Sequence, residues 1–447
     1  MIIEPPMIKV LMLGWEFPPH ISGGLGVACE GLTSALVGTG EVQILFVIPK
    51  ADSDHRSNMS VVGANNIRVS TDVFQKHASE VSGEETFQVA ELNANLEPYE
   101  QLGPISARDF LIKWTAAIDT PAILKRVTSY EFQGGYGKKL LDEVDKYAEI
   151  LLAFALQQEF DIIHAHDWMT FPAAVALKQA TGKPLVIHVH ATEFDRSGMG
   201  SELVHEIERI AARSADKVIA VSNLTANLLI ERYGASRERV EVVHNGVKFN
   251  DFVPSTNKVH PIGDQLVSFV GRITFQKGPE YFIDAAEKVL KEFPDCHFVM
   301  AGAGDALPAM IRRVVTKRMS GRFHFTGFLG RADVERLLSY SRVYVMPSVS
   351  EPFGLTALEA VNAGVPVVVS LQSGVTEVLP DVLKVDFWDT DALARAISGV
   401  LRYPLLAETM RQKARRSVPA ISWENAASKV LNIYQGLVSH DVPSLPV

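Results

Sequence analysis

The sequence predicts an α/β chain built of two consecutive Rossmann-like, doubly wound domains facing across a cleft. Three observations carry that expectation. At 447 residues and 49.0 kDa the chain exceeds the size that one hydrophobic core usually serves. A strand, glycine-rich turn, helix and strand open it at IKVLMLGWEFPPHISGGLG, and the pattern restarts at QLVSFVGRITFQKGPEYFIDAAEKVL. Between the two, residues 254–264 are polar and contain Pro254, Pro261 and Gly263, the composition of a linker. The expected units are a first domain over 1–254, a second over 265–420 and a final helical segment over 421–447.

Composition narrows the function classes. With 47% hydrophobic and 21% charged residues the chain reads as an ordinary, soluble, well-folded protein. Cys29 and Cys296 stand far apart, so no disulfide framework is expected and a reducing cytoplasm is the natural setting. The N-terminus offers only a short apolar run, 10–13, too short for a signal peptide or a membrane span. A net charge of −9 argues against a nucleic-acid partner. Residues 1–249 hold 22 Lys+Arg against 32 Asp+Glu, and the remainder 21 against 20. The acidic first half is unsuited to an anionic lipid surface, and the near-neutral second half better suits a phosphate-bearing ligand.

In chain order, the first strand (9–14) enters a loop with Pro18, Pro19, Gly23, Gly24 and Gly26, followed by a helix expected over 27–36. The loop departs from G-x-G-x-x-G, yet Gly23 and Gly24 before a helix let backbone amides approach a diphosphate. A glycine turn serving only the chain path is the alternative. Residues 51–136 loosen into polar stretches with short strands and a helix near 107–118, and read as an insertion covering the acceptor side. Asp52 and Asp54 form a D-x-D in a polar loop, expected to be a solvated turn. Asp389-Thr390-Asp391 reads as a helix cap.

An amphipathic helix over 138–159 leads to FDIIHAHDW and, after the next helix, to PLVIHVHATEF. Each is an apolar strand ending in H-x-H, so the period of two projects each pair from one face. Polar side chains gathered over a substrate cleft are the expected reading, with His164 and His188 as core histidines. A zinc site is the alternative, but neither segment has the spacing of a known histidine-rich metal motif. No metal is expected.

In the second domain, Arg272 and Lys277 share the loop after the first strand, ahead of a helix starting near Pro279. A planar guanidinium, a point charge and a helix dipole together suit a diphosphate, with a solvated turn as the plain alternative. The basic runs 312–322 and 411–416 read as exposed helix faces. Residues 344–377, YVMPSVSEPFGLTALEAVNAGVPVVVSLQSGVTE, form a strand, loop, helix and strand. Glu351 sits in the loop, and Glu359 lies two turns down a helix expected over 355–362. The amides of Gly354, Leu355 and Thr356 fall at the helix start, an anion site at the carboxyl end of a strand. The tail, ISWENAASKVLNIYQGLV, is one amphipathic helix with Trp423, Leu431, Tyr434 and Leu437 as its apolar positions.

Taken together, Ser22-Gly23-Gly24-Leu25, His164-Ala-His166-Asp167-Trp168, Gly271-Arg272 with Lys277-Gly278, Glu351-Pro-Phe-Gly-Leu-Thr through Glu359, and the S-W-E tail resemble the retaining glycosyltransferases of the GT-B fold. That family includes the glycogen and starch synthases, and the matches span nearly the whole chain in its order. The resemblance implies a GT-B fold whose last helix crosses back to the first domain. It implies that Arg272 and Lys277 grip the donor diphosphate, helped by the Gly354, Leu355 and Thr356 amides. Glu359 would hold the ribose, Glu351 the donor sugar's hydroxyls, and His166 would lie over the sugar near its anomeric carbon. Gly23 and Gly24 would approach the diphosphate as the cleft closes, and Gly327, Phe328 and Leu329 would line the base.

The expected reaction is retaining transfer of a hexosyl (glucosyl) unit from ADP- or UDP-glucose to a glucan-type acceptor in the cytoplasm. It needs no metal or cofactor, and Glu351 and His166 are the catalytic candidates. Bacterial glycogen synthases carry a lysine two residues before the glycine pair, where this chain has Ile21. That departure points toward relatives with small-molecule or lipid acceptors. A phosphorylase-like enzyme and a non-catalytic sugar-nucleotide-binding protein are the rivals from other classes.

Overall fold

The computed structural model describes residues 7–18, 24–49, 60–63, 87–91, 110, 113–114, 140–197, 200–248, 263 and 265–439. The first half contains β1 (Ile8–Leu13), α1 (Gly24–Gly38), β2 (Val42–Ile48), β3 (Ser60–Gly63), β4 (Phe87–Glu91), α2 (Leu140–Ala155), β5 (Ile162–His166) and α3 (Phe171–Thr181). It continues with β6 (Leu185–Val189), α4 (Glu193–Ser197), α5 (Glu202–Ser214), β7 (Lys217–Ala220), α6 (Asn223–Tyr233) and β8 (Val240–Val242). The second half contains β9 (Leu266–Val270), α7 (Pro279–Glu292), β10 (His297–Ala301), α8 (Leu307–Thr316), β11 (Phe323–Gly327), α9 (Arg331–Tyr340) and β12 (Val343–Met346). There follow α10 (Leu355–Asn362), β13 (Val367–Ser370), β14 (Leu383–Val385), α11 (Thr390–Arg402), α12 (Pro404–Ser417) and α13 (Trp423–Ser439).

Among the described residues these strands form two parallel sheets, eight-stranded in the order β3-β4-β2-β1-β5-β6-β7-β8 and six-stranded in the order β11-β10-β9-β12-β13-β14. Helices cover both faces of each, so the strands are apolar on both sides. In β1, Leu11 and Leu13 enter one core while Val10 and Met12 enter the other, the alternation a pleated strand imposes. Each sheet reverses its winding once, between β1 and β5 in the first and between β9 and β12 in the second.

Several expectations shift in detail. The first helix starts at Gly24 and runs to Gly38, longer than 27–36. Within the segment read as an insertion, β3 and β4 add two strands to the first sheet's edge. Asp52, Asp54 and most of the 254–264 linker lie outside the described residues. The cap at Asp389 is present: its side chain accepts from the Ala392 amide at 2.8 Å.

The tail helix and Glu377 provide two of the contacts between the domains. The tail helix α13 crosses back onto α1, where Trp423, Ala427, Val430, Leu431 and Tyr434 share a core with Ala28, Leu32 and Leu36. The approach is so close that a Cβ on Gly31 would lie 2.2 Å from the Trp423 ring. A second tie is Glu377, from the second domain, which accepts from the Asn223 and Leu224 amides at 2.9 and 3.0 Å. The same carboxylate meets His244 Nε2 at 2.8 Å. It thus caps the N-terminus of α6 in the first domain, where an anion complements the helix dipole.

Truncating Trp423 to Ala should cost about 3–5 kcal/mol and detach α13 from α1. Urea unfolding and the radius of gyration in solution are the readouts, and an unchanged radius would refute the crossing helix as a tie. Burial alone would raise the Glu377 carboxyl, but hydrogen bonds from His244, Asn223 and Leu224 outweigh it and bring the carboxyl down to about 2 from an ordinary 4.5. Its stabilisation is therefore complete above about pH 4.5 and fades as the pH falls toward 2. Glu377→Gln should lose about 1–3 kcal/mol at pH 7 and show a correspondingly smaller stability loss between pH 5 and pH 3 than the wild-type chain.

Candidate functional site

The reversal of winding between β9 and β12 creates the site. Those strands pair in parallel, Val343 beside Val267 and Tyr344 beside Ser268, so their outgoing loops leave from the same sheet edge side by side. The loop after β9 carries Arg272, a 3-10 turn over Phe275–Lys277, and Gly278 in the left-handed region at φ 62° before α7. The loop after β12 carries Ser348, Ser350 and Glu351 and ends at Gly354, φ 112°, which opens α10. A Cβ on Gly278 would sit 2.1 Å from the Pro347 carbonyl, so only glycine lets the loops press together.

Lys277 Nζ and Glu351 Oε2 are 2.6 Å apart, with side chains 22% and 9% exposed. Ser348 Oγ donates to the same carboxylate oxygen at 3.1 Å. Glu351 is fixed from behind by a bridge to Ser373: its amide donates to the Gln372 carbonyl at 2.9 Å, and its carbonyl accepts from Gly374 at 2.8 Å. Arg272 is half-buried and, among the described residues, its guanidinium has no hydrogen-bond or ion-pair partner.

Two helix starts come near each other across the domains. Leu355, in the first turn of α10, lies 3.6 Å from where a Cβ on Gly24 would stand at the start of α1 in the other domain. The amides of a helix's first turn lack intrahelical partners and suit an anion. Gly23 lies outside the described residues.

Glu359 is half-buried on α10, and burial pushes its carboxyl up to about 7, with Arg331 drawing it down and Glu335 pushing it up. Gly327 ends β11 at φ 72°, its carbonyl accepts from the Gly302 amide at 2.8 Å, and Phe328 is 69% exposed. Tyr344 stands between the two carboxylates: burial first, then Glu351 and Glu359, raise its phenol well above the ordinary value.

His166 is placed differently from a residue lining an open cleft. It is fully buried in a stack of four imidazoles, with ring centroids 4.5 Å from His164 and 5.1 Å from His188. Its Nδ1 is 2.9 Å from Nε2 of His190, the half-buried member at the end of the stack. Burial, reinforced by the neighbouring rings, holds His166 and His188 well below 6.5, so both are neutral. Asp167, at φ 60°, accepts the His190 amide at 2.7 Å and pairs with Arg196 at 3.3 Å. The stretch after β6 reaches the loop of Glu351, because Ser350 donates to Asp195 at 2.6 Å.

The structure thus unites Lys277 and Glu351 directly, and brings Gly24 of the first domain against Leu355 of the second. No hydrogen bond or ion pair among the described residues joins His166 to the second domain. Sequence reasoning missed Ser348, three residues from its partner Glu351, and also Glu377 and the Asp195–Ser350 contact, whose partners lie far away in the chain. His190 had a legible signal, the second histidine of H-x-H at a strand end.

A glycosyl transferases group 1 model matches residues 255–417, and a glycosyltransferase family 4 model matches 129–250. An uncharacterized glycosyltransferase of Methanocaldococcus jannaschii is 28% identical over 448 residues, covering 96% of this chain and 98% of the relative. A glycogen synthase of Mycobacterium tuberculosis is 26% identical over 436 residues, covering 96% and 94%. Among solved structures, sucrose-phosphate synthase of Thermosynechococcus elongatus superposes with TM-score 0.70 at 21% identity over 97% of this chain and all of that one. Anabaena HepE, solved with UDP and glucose, gives 0.63 at 16% identity over 96% of this chain and all of the other. The two structural likenesses carry the fold alone, and the two models meet at the linker, the group 1 model on the second domain and the family 4 model on the later part of the first: the chain is a glycosyltransferase of the GT-B fold, similar over its second domain to the group 1 glycosyl transferases.

Proposed function

We propose that the enzyme transfers a glucosyl unit, with retention, from ADP- or UDP-glucose to a glucan-type acceptor, and that fixed cations and helix-start amides neutralise the leaving diphosphate without a metal ion. The observation that carries this reading is the Lys277–Glu351 pair, 2.6 Å apart at the sheet's reversal point. Donor binding divides the pair: Lys277 turns with Arg272 to the diphosphate, and Glu351 is released to accept from hydroxyls of the sugar. The Gly354, Leu355 and Thr356 amides and the Gly23 and Gly24 turn complete the anion pocket. Glu359 holds the ribose, while Gly327, Phe328 and Leu329 flank the base. As the sugar–phosphate bond breaks through an oxocarbenium-like state, these donors meet the charge developing on the diphosphate. The acceptor attacks from the same face and gives its proton to the departing phosphate, with His166 and Glu351 orienting the sugar. The glycogen synthase relatives support a glucan acceptor, and neighbours solved with UDP and UDP-glucose support the donor class. Ile21 favours a second reading, a small-molecule acceptor, which an acceptor screen separates from the first.

Release of nucleoside diphosphate from ADP- and UDP-glucose should be unaffected or raised by EDTA, and a strong loss would defeat the metal-free reading. Arg272→Ala and Lys277→Ala should each lower kcat/KM about 10²–10³-fold, and Glu351→Ala at least as much; unchanged turnover in the Glu351 variant would favour a silent binding protein. An ionised Glu359 accepts from two ribose hydroxyls, whereas its acid form gives up one acceptor. Donor KM should therefore rise as the pH falls below about 7, by up to about tenfold per unit, and Glu359→Gln should flatten that profile.

A further inference from the structure

We propose that the strand-end histidines form a transition-metal site of the zinc class, in which His164, His166 and His188 bind the ion and His190 or Cys29 completes the set. The placement follows from register. His166 pairs with His188 across β5 and β6, and the period of two puts His164 and His166 on one face with His188. One ligand atom from each of His164, His166 and His188 falls within a set no wider than 4.8 Å, and Cys29, His166 and His190 form a second such set. Ligands 2.0–2.1 Å from a tetrahedral ion stand about 3.3 Å apart, a contraction that ring rotation supplies.

The second observation is the state of the nitrogens. His164 Nε2, His166 Nε2, both nitrogens of His188 and His190 Nδ1 are buried without a hydrogen-bond partner. Orphaned buried polar atoms are costly, and five of them in one cluster point to something that binds lone pairs. The other nitrogens are already oriented: His164 Nδ1 bonds the Tyr434 hydroxyl, and His166 Nδ1 faces His190 at 2.9 Å. Ligand histidines characteristically show this pattern, one nitrogen anchored and the other free. Burial keeps the imidazoles neutral, the form that coordinates. His190 is half-buried and gives a route inward. If Cys29 coordinates, its thiol proton leaves to solvent as the thiolate–metal bond forms.

An ion here occupies His166 Nε2 and withdraws that ring from the sugar, so metal and transfer compete; this clause rests on the proposed role of His166, whereas uptake does not. The test is equilibrium dialysis of the full chain, stripped with EDTA, against micromolar ZnCl2 or CoCl2, with bound metal counted by elemental analysis. One equivalent per chain, a raised melting temperature and the visible bands of tetrahedral cobalt are expected. His188→Gln should weaken uptake at least tenfold while leaving metal-free donor release within twofold, and His164→Gln serves if that variant fails to fold. Cys29→Ser should remove a thiolate charge-transfer band only if the thiol is a ligand. Substoichiometric uptake by the wild-type chain, or equal uptake by the variants, overturns the site. Full uptake with undiminished donor release would keep the site and remove the competition.

Discussion

Lys277 and Glu351 are 74 residues apart in the chain and 2.6 Å apart in space, and the site depends on that meeting. It exists because β9 and β12 are neighbours at the one place where the second sheet reverses its winding. Helices on opposite faces diverge there, leaving a crevice that the two outgoing loops fill with charge. A half-buried ion pair contributes little net stability once desolvation is counted. Its value is positional: each partner fixes the other at the sheet's reversal point. Ser348 and the bridge to Ser373 hold the carboxylate independently of the lysine.

A site assembled from two domains also requires that they be held at a working distance. α13 does this through an apolar contact so tight that Gly31 has no room for a side chain. Glu377 adds a carboxylate on a helix end, a polar contact that can break and re-form more readily than a packed core. One tie is thus firm and the other responds to charge. The facing of Gly24 and Leu355 across the gap is the consequence, since it brings the starts of α1 and α10 together.

The histidine stack runs against ordinary core chemistry. Parallel strands buried on both faces call for Val, Ile and Leu, yet β5 and β6 place polar rings inside. Asp167 in the left-handed region and the buried Arg196 and Glu208 beside it extend that polar zone toward the loop of Glu351. Burial raises the Glu208 carboxyl to about 8 against the pull of Arg196. A polar interior of this kind contributes little net stability for what its burial costs.

The sequence by itself determined the local pieces. Periodicity and glycine–proline punctuation located β12, α10 and the loop between them, because those signals depend on neighbours a few residues away. Spacing on α10 placed Glu359 correctly with respect to Glu351, and composition marked the division into two domains. Residue type marked Arg272 and Lys277 as phosphate ligands, but pattern alone left a solvated turn open. Only the tertiary structure decided which of these groups meet. Strand order, which no local period encodes, joined Lys277 to Glu351. Packing across the interface chose Glu377 as a cap for a helix in the other domain. Register between β5 and β6 stacked the four histidines that H-x-H, read twice along the chain, had placed at strand ends, and buried His166 within the stack. Local pattern sets the side chain's direction and charge, while long-range pairing fixes its neighbour, and here the neighbour decides the chemistry.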